Sequence, residues 1–300
     1  MLHKVGNENV IYKFSKKNHS VLSVNSGDEV EFETLDCFAG QIKEDNYEIE
    51  GLDWDRINPA TGPVYVNGAE KGDALKVTII KIEVKGTAVI ATGKDMGVLQ
   101  SEFGKSYVKV AKIEEDRLIF NKAVKIPIKP MIGVIGVAPE SGEISCGAPD
   151  SHGGNMDNNM INEGAMIYFP VATEGALFAL GDVHAVMGDG EIGVTGAEVS
   201  AKVTVKLEVV KGLKIGNPML ENDEYLSTIA ASEDLDEAVE ISISDMFYIL
   251  RGKTEIKDEE VVMLFSLVGK TEICQIVDPK KTARFVMPKS MLKSIGYLGL

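Results

Sequence analysis

Short runs of alternating apolar and polar residues dominate the first two thirds of the chain. Val10, Tyr12 and Phe14 alternate with Ile11 and Lys13. Val30, Phe32 and Thr34 alternate with Glu29, Glu31 and Glu33, which predicts a half-buried strand with one acidic face. From Ala74 to Val84 the alternation changes parity at Ile79-Ile80, the signature of a β-bulge. Further runs follow at 88–91, 107–113, 118–120 and 124–128, separated by turn residues. The run Met131-Ile132-Gly133-Val134-Ile135-Gly136-Val137 is apolar on both parities and predicts a strand buried on both faces. Two more strands are expected at 166–172 and 176–180, and the plainest half-buried one has Ala201, Val203, Val205, Leu207 and Val209 on one side. Between them the Gly- and Pro-rich stretch 45–72 reads as a long irregular loop or cap.

Beyond about residue 216 the period lengthens. Ser232 can cap a helix with Glu233 and Asp234 in its first turn, running through Leu235, Val239, Met246 and Leu250 to Gly252. A second helix is expected over 257–268, a strand over 273–277 and a short helix over 288–292. The fold class is therefore mainly β, a sandwich or barrel, with an α+β C-terminal part. The domain reading is residues 1–215 as a mainly β unit, which the polar loops near 140–165 could subdivide, and 216–300 as the α+β portion.

Composition narrows the partners. The net charge of −15 argues against nucleic acid and anionic membrane surfaces. Cys37, Cys146 and Cys274 are three in number, far apart and without CxxC spacing, so neither a disulfide framework nor a thiolate zinc site is expected. The first six residues hold no apolar leader stretch, and a cytoplasmic location is expected.

Candidate chemistry lies in two loops. Gly181 to Glu191 carries Asp182, His184, Asp189 and Glu191 among three glycines, and Ser151 to Asn159 carries His152, Gly153, Gly154, Asn155 and Asp157; together they hold two of only four histidines. If Gly181–His184 continues a strand, Asp182 and His184 share a face roughly 6.5–7 Å apart and can converge on one cation. The same spacing also suits local turn hydrogen bonds. His152 and Asp36 would complete a mixed His/Asp set, the pattern of a catalytic zinc with an open position. Glu191 is one candidate general base and Glu198 another. Asp189 is expected to form a turn. Gly153 and Gly154 could aim N–H groups at an oxyanion, and Asn155 could bind a substrate amide or Ca²⁺. Cys146 is either a nucleophile or a small buried apolar residue.

Several blocks are similar to those of the acetamidase/formamidase family. They are Thr34-Leu35-Asp36-Cys37-Phe38-Ala39-Gly40-Gln41, the stretch Asn58 to Asp73, His152-Gly153-Gly154-Asn155-Met156-Asp157, Gly181 to Glu191, Gln275-Ile276-Val277-Asp278-Pro279 and Val286-Met287-Pro288-Lys289. They occur in order from about residue 20 onward. The resemblance implies a metal-dependent amidase that hydrolyses short aliphatic amides, of the acetamide or formamide type, with metal-activated water. It also implies a divalent metal, Zn²⁺ or Ca²⁺, held by Asp36, His152, Asp182 and His184, and self-association as a homodimer or higher homo-oligomer. Glu140 and Glu143 and the block Thr195-Gly196-Ala197-Glu198 depart from the family pattern, which bears on the substrate. Two other readings remain at this stage: a cysteine amidase using Cys146, and a non-catalytic Ca²⁺-binding assembly protein.

Overall fold

The computed structural model describes residues 1–45 and 47–299. Two large sheets face each other. The nine-stranded sheet runs, edge to edge, through Leu2–Val5, Glu29–Thr34, Ala201–Val210, Ala74–Val84, Met166–Pro170, Met219–Glu221, Tyr225–Ser232, Lys281–Pro288 and Lys270–Gln275. The eleven-stranded sheet is centred on Phe178–His184, which pairs antiparallel with Met131–Gly136, Glu198–Val199 and Ala60–Asn67 along different parts of its length. The inner faces interdigitate: Phe32, Val77, Val203 and Phe169 of one sheet meet Ile132, Ile135, Phe178 and Leu180 of the other. Phe178 packs edge-on to Phe32 at 5.8 Å, a favoured aromatic geometry. This is the expected sandwich, with alternating residues supplying the core.

Glu29–Thr34 buries Val30, Phe32 and Thr34 while its glutamates are half-buried. The parity flip is a bulge: opposite strand Ala201–Val210, pairing jumps from Lys81 to Ile79, which leaves Ile80 unpaired and 42% exposed. Met131–Gly136 is buried at every residue: Phe178–His184 and Gly153–Asn155 cover its edges, Ile132 and Ile135 face the inter-sheet core, and Val134 packs into a second cluster with Phe14, Ala60, Cys146 and Ala179.

Stretch 45–72 is not wholly irregular. Its second half forms the strand Ala60–Asn67, with partners along both edges. Gly62 and Pro63 hid it: proline supplies no N–H to a ladder and is tolerated at irregular pairing, and here the register shifts between Phe178 and Leu180.

Past residue 215 the nine-stranded sheet continues without interruption into Met219–Glu221 and Tyr225–Ser232, and helices Leu235–Leu250 and Asp258–Val268 pack on its end through a second core that includes Met246, Leu250, Val261, Phe265 and Phe285. The first helix is capped by Asp234, whose side chain accepts from Glu237 N, and not by Ser232. Ser232 ends the preceding strand, and its Oγ accepts from Asp234 N, so it shapes the approach to the cap. No helix among the described residues is long and apolar enough to cross a membrane.

Candidate active site

The site forms where Phe178–His184 stops being a regular strand. Its pairing with Met131–Gly136 skips from Val183 opposite Ile132 to Gly181 opposite Val134, which sets Asp182 against Gly133. Asp182 there has φ +52°, a left-handed conformation that aims its carboxylate over Gly133. Asp157 arrives from the other side of the same glycine. A Cβ at position 133 would lie 2.5 Å from Asp157 Oδ1 and 2.6 Å from Asp182 Oδ2, so only glycine leaves room for both.

His184 Nε2 is the centre of the group. Glu198 Oε2 lies 3.2 Å away, Asp182 Oδ1 3.5 Å, Asp157 Oδ1 3.8 Å and Glu191 Oε1 4.0 Å. Glu198 reaches it from the neighbouring strand, where it pairs directly with His184. Gly196 clears the other edge of the ring, since a Cβ there would stand 2.6 Å from Nδ1. Asp278 adds a fifth carboxylate, half-buried, and accepts from Asn155 Nδ2 at 2.7 Å. The ring nitrogens of His184, both Asp157 oxygens and Glu198 Oε2 are buried with no aligned hydrogen-bond partner among the described residues.

Burial without partners is costly for such groups. Burial pushes Asp157 up to about 7, helped by the charge of Asp182, and pushes Glu198 up to about 8 against the pull of His184. Burial, then the neighbouring Asp157 charge, also raises Glu191 and Asp278 well above the carboxylate range. For His184, burial acts downward, but the Glu198 and Asp182 charges outweigh it and raise the imidazole. The folded protein thus holds protons that an unfolded chain, with carboxylates near 3.8 and 4.5, releases. The sign follows: between about pH 4 and 8, stability falls as pH rises. The melting temperature of chelator-treated protein is expected to drop across that window. A flat profile after chelation would contradict this balance of charges.

Three of these carboxylate residues, Asp157, Asp182 and Glu191, have left-handed backbone, as does Val194 beside them. Each such conformation costs on the order of 1–3 kcal/mol and persists where the surroundings over-determine it, commonly at functional sites.

Asp182, Glu191, Glu198 and Asp278 of the group line a cavity of about 450 Å³ together with Asn155 and Cys37, and Phe38, Ile57, Met96 and Val194 are among its other lining residues, while His184 and Asp157 lie behind them.

The two loops do meet. Asn159 Nδ2 donates to Asp189 Oδ1 at 2.8 Å. Arg284, 3% exposed, ties both together by donating to Asn158, Asn159 and Asp189 while its Nε donates to Glu272. Asp189 is therefore an ion-pair partner of a buried arginine, not merely a turn former.

Of the four expected metal ligands, Asp182 and His184 come together. Asp36 and His152 do not come within 4 Å of His184 or of each other. Asp36 Oδ1 accepts from Phe38 N and Gly40 N, closing a turn. That turn delivers its neighbour: Cys37 Sγ lies within 4.8 Å of carboxylate oxygens of Asp182 and Glu198. His152 is buried edge-on against Phe14, and its nearest charges are Asp150 and Lys280. Gly153 and Gly154 are not cavity residues. They form a buried strand with Asn155, and a Cβ on either would lie 2.3 Å from a backbone oxygen, of Ile135 and Ala148 respectively. Their service is close backbone packing, whereas Asn155 does reach the cavity. Cys146 is fully buried in a small apolar cluster with Phe14, Ala60, Val134 and Ala179, and burial raises its thiol far from reactivity. Sequence reasoning did not assign roles to Asp157, Asp278 and Cys37. All three stand inside the blocks similar to the family, the one signal that could have marked them.

Fold and site together define a class: a two-sheet, mainly β protein with a strained, carboxylate-rich centre around one histidine at the floor of a cavity. The profile of the Acetamidase/Formamidase family matches residues 7–145 and 146–260, and the chain belongs to that family. The crystal structure of a recombinant predicted acetamidase/formamidase from Thermoanaerobacter tengcongensis is 50% identical with a TM-score of 0.97, covering 100% of this chain and 99% of that one. An acetamidase from Bacillus halodurans is 40% identical with a TM-score of 0.96 over 98% and 99%. A formamidase of Methylophilus methylotrophus is 24% identical over 67% of this chain and 65% of its own length. A Schizosaccharomyces pombe relative is 27% identical over 63% and 61%. The chain thus spans less than two thirds of the length of these curated relatives.

Proposed function

We propose that this chain is an amidase that hydrolyses linear amides to carboxylate and ammonia, with a divalent cation held at the His184 centre. The observation that carries the proposal is the set of buried, unpartnered donor atoms on His184, Asp157 and Glu198, ringed by further carboxylates at the floor of the cavity. Such a set needs positive charge from protons or a cation, and its mixture of imidazole and carboxylate suits zinc better than calcium, which makes little use of nitrogen. His184, Asp157, Asp182 and Glu191 would hold the ion. The three carboxylates are the strained residues, and strained placement is what a fixed coordination geometry demands. Bound there, a divalent cation supplies Lewis-acid polarisation of a carbonyl and makes water more acidic.

Glu198 stands on unstrained strand, lines the cavity and lies 3.2 Å from His184 Nε2, a position that suits a general base beside the cation. It takes a proton from water as the water oxygen attacks the amide carbon, and passes it to the departing nitrogen as the C–N bond breaks. Asn155 is oriented by its bond to Asp278, and its unpartnered Oδ1 is free to accept from the amide NH₂ of the substrate.

Purified protein is expected to release ammonia from acetamide, to lose that activity on exhaustive chelation and to regain it with zinc. Undiminished turnover in protein shown by elemental analysis to be metal-free would overturn the role of the cation. The absence of turnover in the zinc-loaded protein would overturn the amidase itself.

A further inference from the structure

The cavity above the carboxylates is far larger than the smallest amides. Acetamide has four non-hydrogen atoms and, at about 30 Å³ for each water-sized group, occupies roughly 120 Å³. The cavity measures about 450 Å³, within the range of sites that enclose a ring-sized ligand.

Its lining is mixed. Beside the carboxylates and other polar groups it includes the apolar side chains of Phe38, Ile57, Met96 and Val194, taken together here as its apolar wall, and Trp54, which is 52% exposed. The wall is built, not incidental. Phe38 is 6% exposed and belongs to a separate core with Ile42, Ile49, Leu52, Val89 and Val108, which supports the segment carrying Trp54 and Ile57. That segment is pinned at Asp53, whose N–H donates to Gln41 Oε1 at 2.9 Å, and at Asn58, whose N–H donates to Cys37 O at 2.7 Å. With acetamide on the floor, the wall would stay wet.

Charge narrows the ligand further. Five carboxylates lie at or under the floor, and Asp55 and Asp95 line the same cavity against Lys13. Asp55 and Asp95, away from the His184 centre, give an anionic second group on an amide no more than Lys13 to pair with.

We propose that the preferred substrates are uncharged primary amides whose acyl group is an apolar ring or branched chain seated against Phe38, Ile57, Met96 and Val194, with Trp54 over its outer face. The proposal rests on the amidase reading above.

The test is ammonia release by the zinc-loaded protein from formamide, acetamide, isobutyramide and phenylacetamide. One buried methylene is worth about tenfold or more in discrimination. kcat/KM is therefore expected to rise at least about a hundredfold from acetamide to phenylacetamide, mainly through KM. Trp54→Ala and, separately, Met96→Ala should shrink that ratio, the second serving if the first disturbs folding. A flat or falling series overturns the substrate class and leaves the amidase standing, whereas release from none of the four overturns both.

Discussion

Replacement of His184 by alanine is expected to abolish cation retention and to lower kcat for amide hydrolysis by on the order of a thousandfold or more. The reason is geometric. Among the described residues, its Nε2 is the only basic side-chain nitrogen within 4.0 Å of Asp157, Asp182, Glu191 and Glu198 together. Without the imidazole, four carboxylates face one another in a buried space with nothing to hold them apart or draw them to one point. The site would relieve the repulsion by taking up protons, and a protonated carboxyl is a poor ligand. Elemental analysis of the variant after dialysis against zinc, beside its circular dichroism and turnover, checks this. A folded His184→Ala protein that keeps stoichiometric zinc and turns over within about threefold of the parent would show that the centre lies elsewhere.

Glu198→Gln is expected to separate proton transfer from cation binding. Glutamine keeps the size of the side chain and cannot carry the proton. A fall in kcat of roughly 10²- to 10⁴-fold is expected, with zinc content unchanged and the rising limb of the pH–rate profile lost. The counterpart Glu191→Gln should lose zinc before anything else, because Glu191 stands with Asp157 and His184 as one close donor group. If Glu191→Gln instead keeps its zinc and loses the pH limb, the two glutamates exchange roles. The strain at Glu191, φ +47°, would then need another explanation.

Alternation of apolar and polar residues made the strands legible because one face of each lies on the shared core. It also exposed the bulge at Ile80, since an extra residue must shift every later side chain to the other face. It failed at Ala60–Asn67, where Gly62 and Pro63 break the pattern although partners along both edges hold the strand. It failed at Ser232 because several residues in succession could serve as the cap, and the end of the preceding strand decides which one turns toward the helix.

The site divides in the same way. That Asp182 and His184 lie together was legible because their two-residue spacing on a strand is a local fact. Asp36 and His152 were misplaced because chain chemistry gives a residue's type and not its direction. The turn after residue 34 turns Asp36 onto its own backbone and offers Cys37 instead. Gly153 and Gly154 looked like donors to a substrate, yet they are required by the close approach of neighbouring backbone.

By itself, then, the sequence determined the two-sheet architecture, the helical end, the family and the two loops that hold Asp157, Asp182, His184 and Glu191. All of these follow from local periodicity or from ordered motifs. The tertiary structure decided which carboxylates share one space. Asp157, Asp182, Glu191, Glu198 and Asp278 come from separate segments, and what unites them is sheet register, the missing side chain of Gly133 and left-handed turns at three of the five. Those depend on contacts between distant segments, so they become fixed only when the two sheets close on their core.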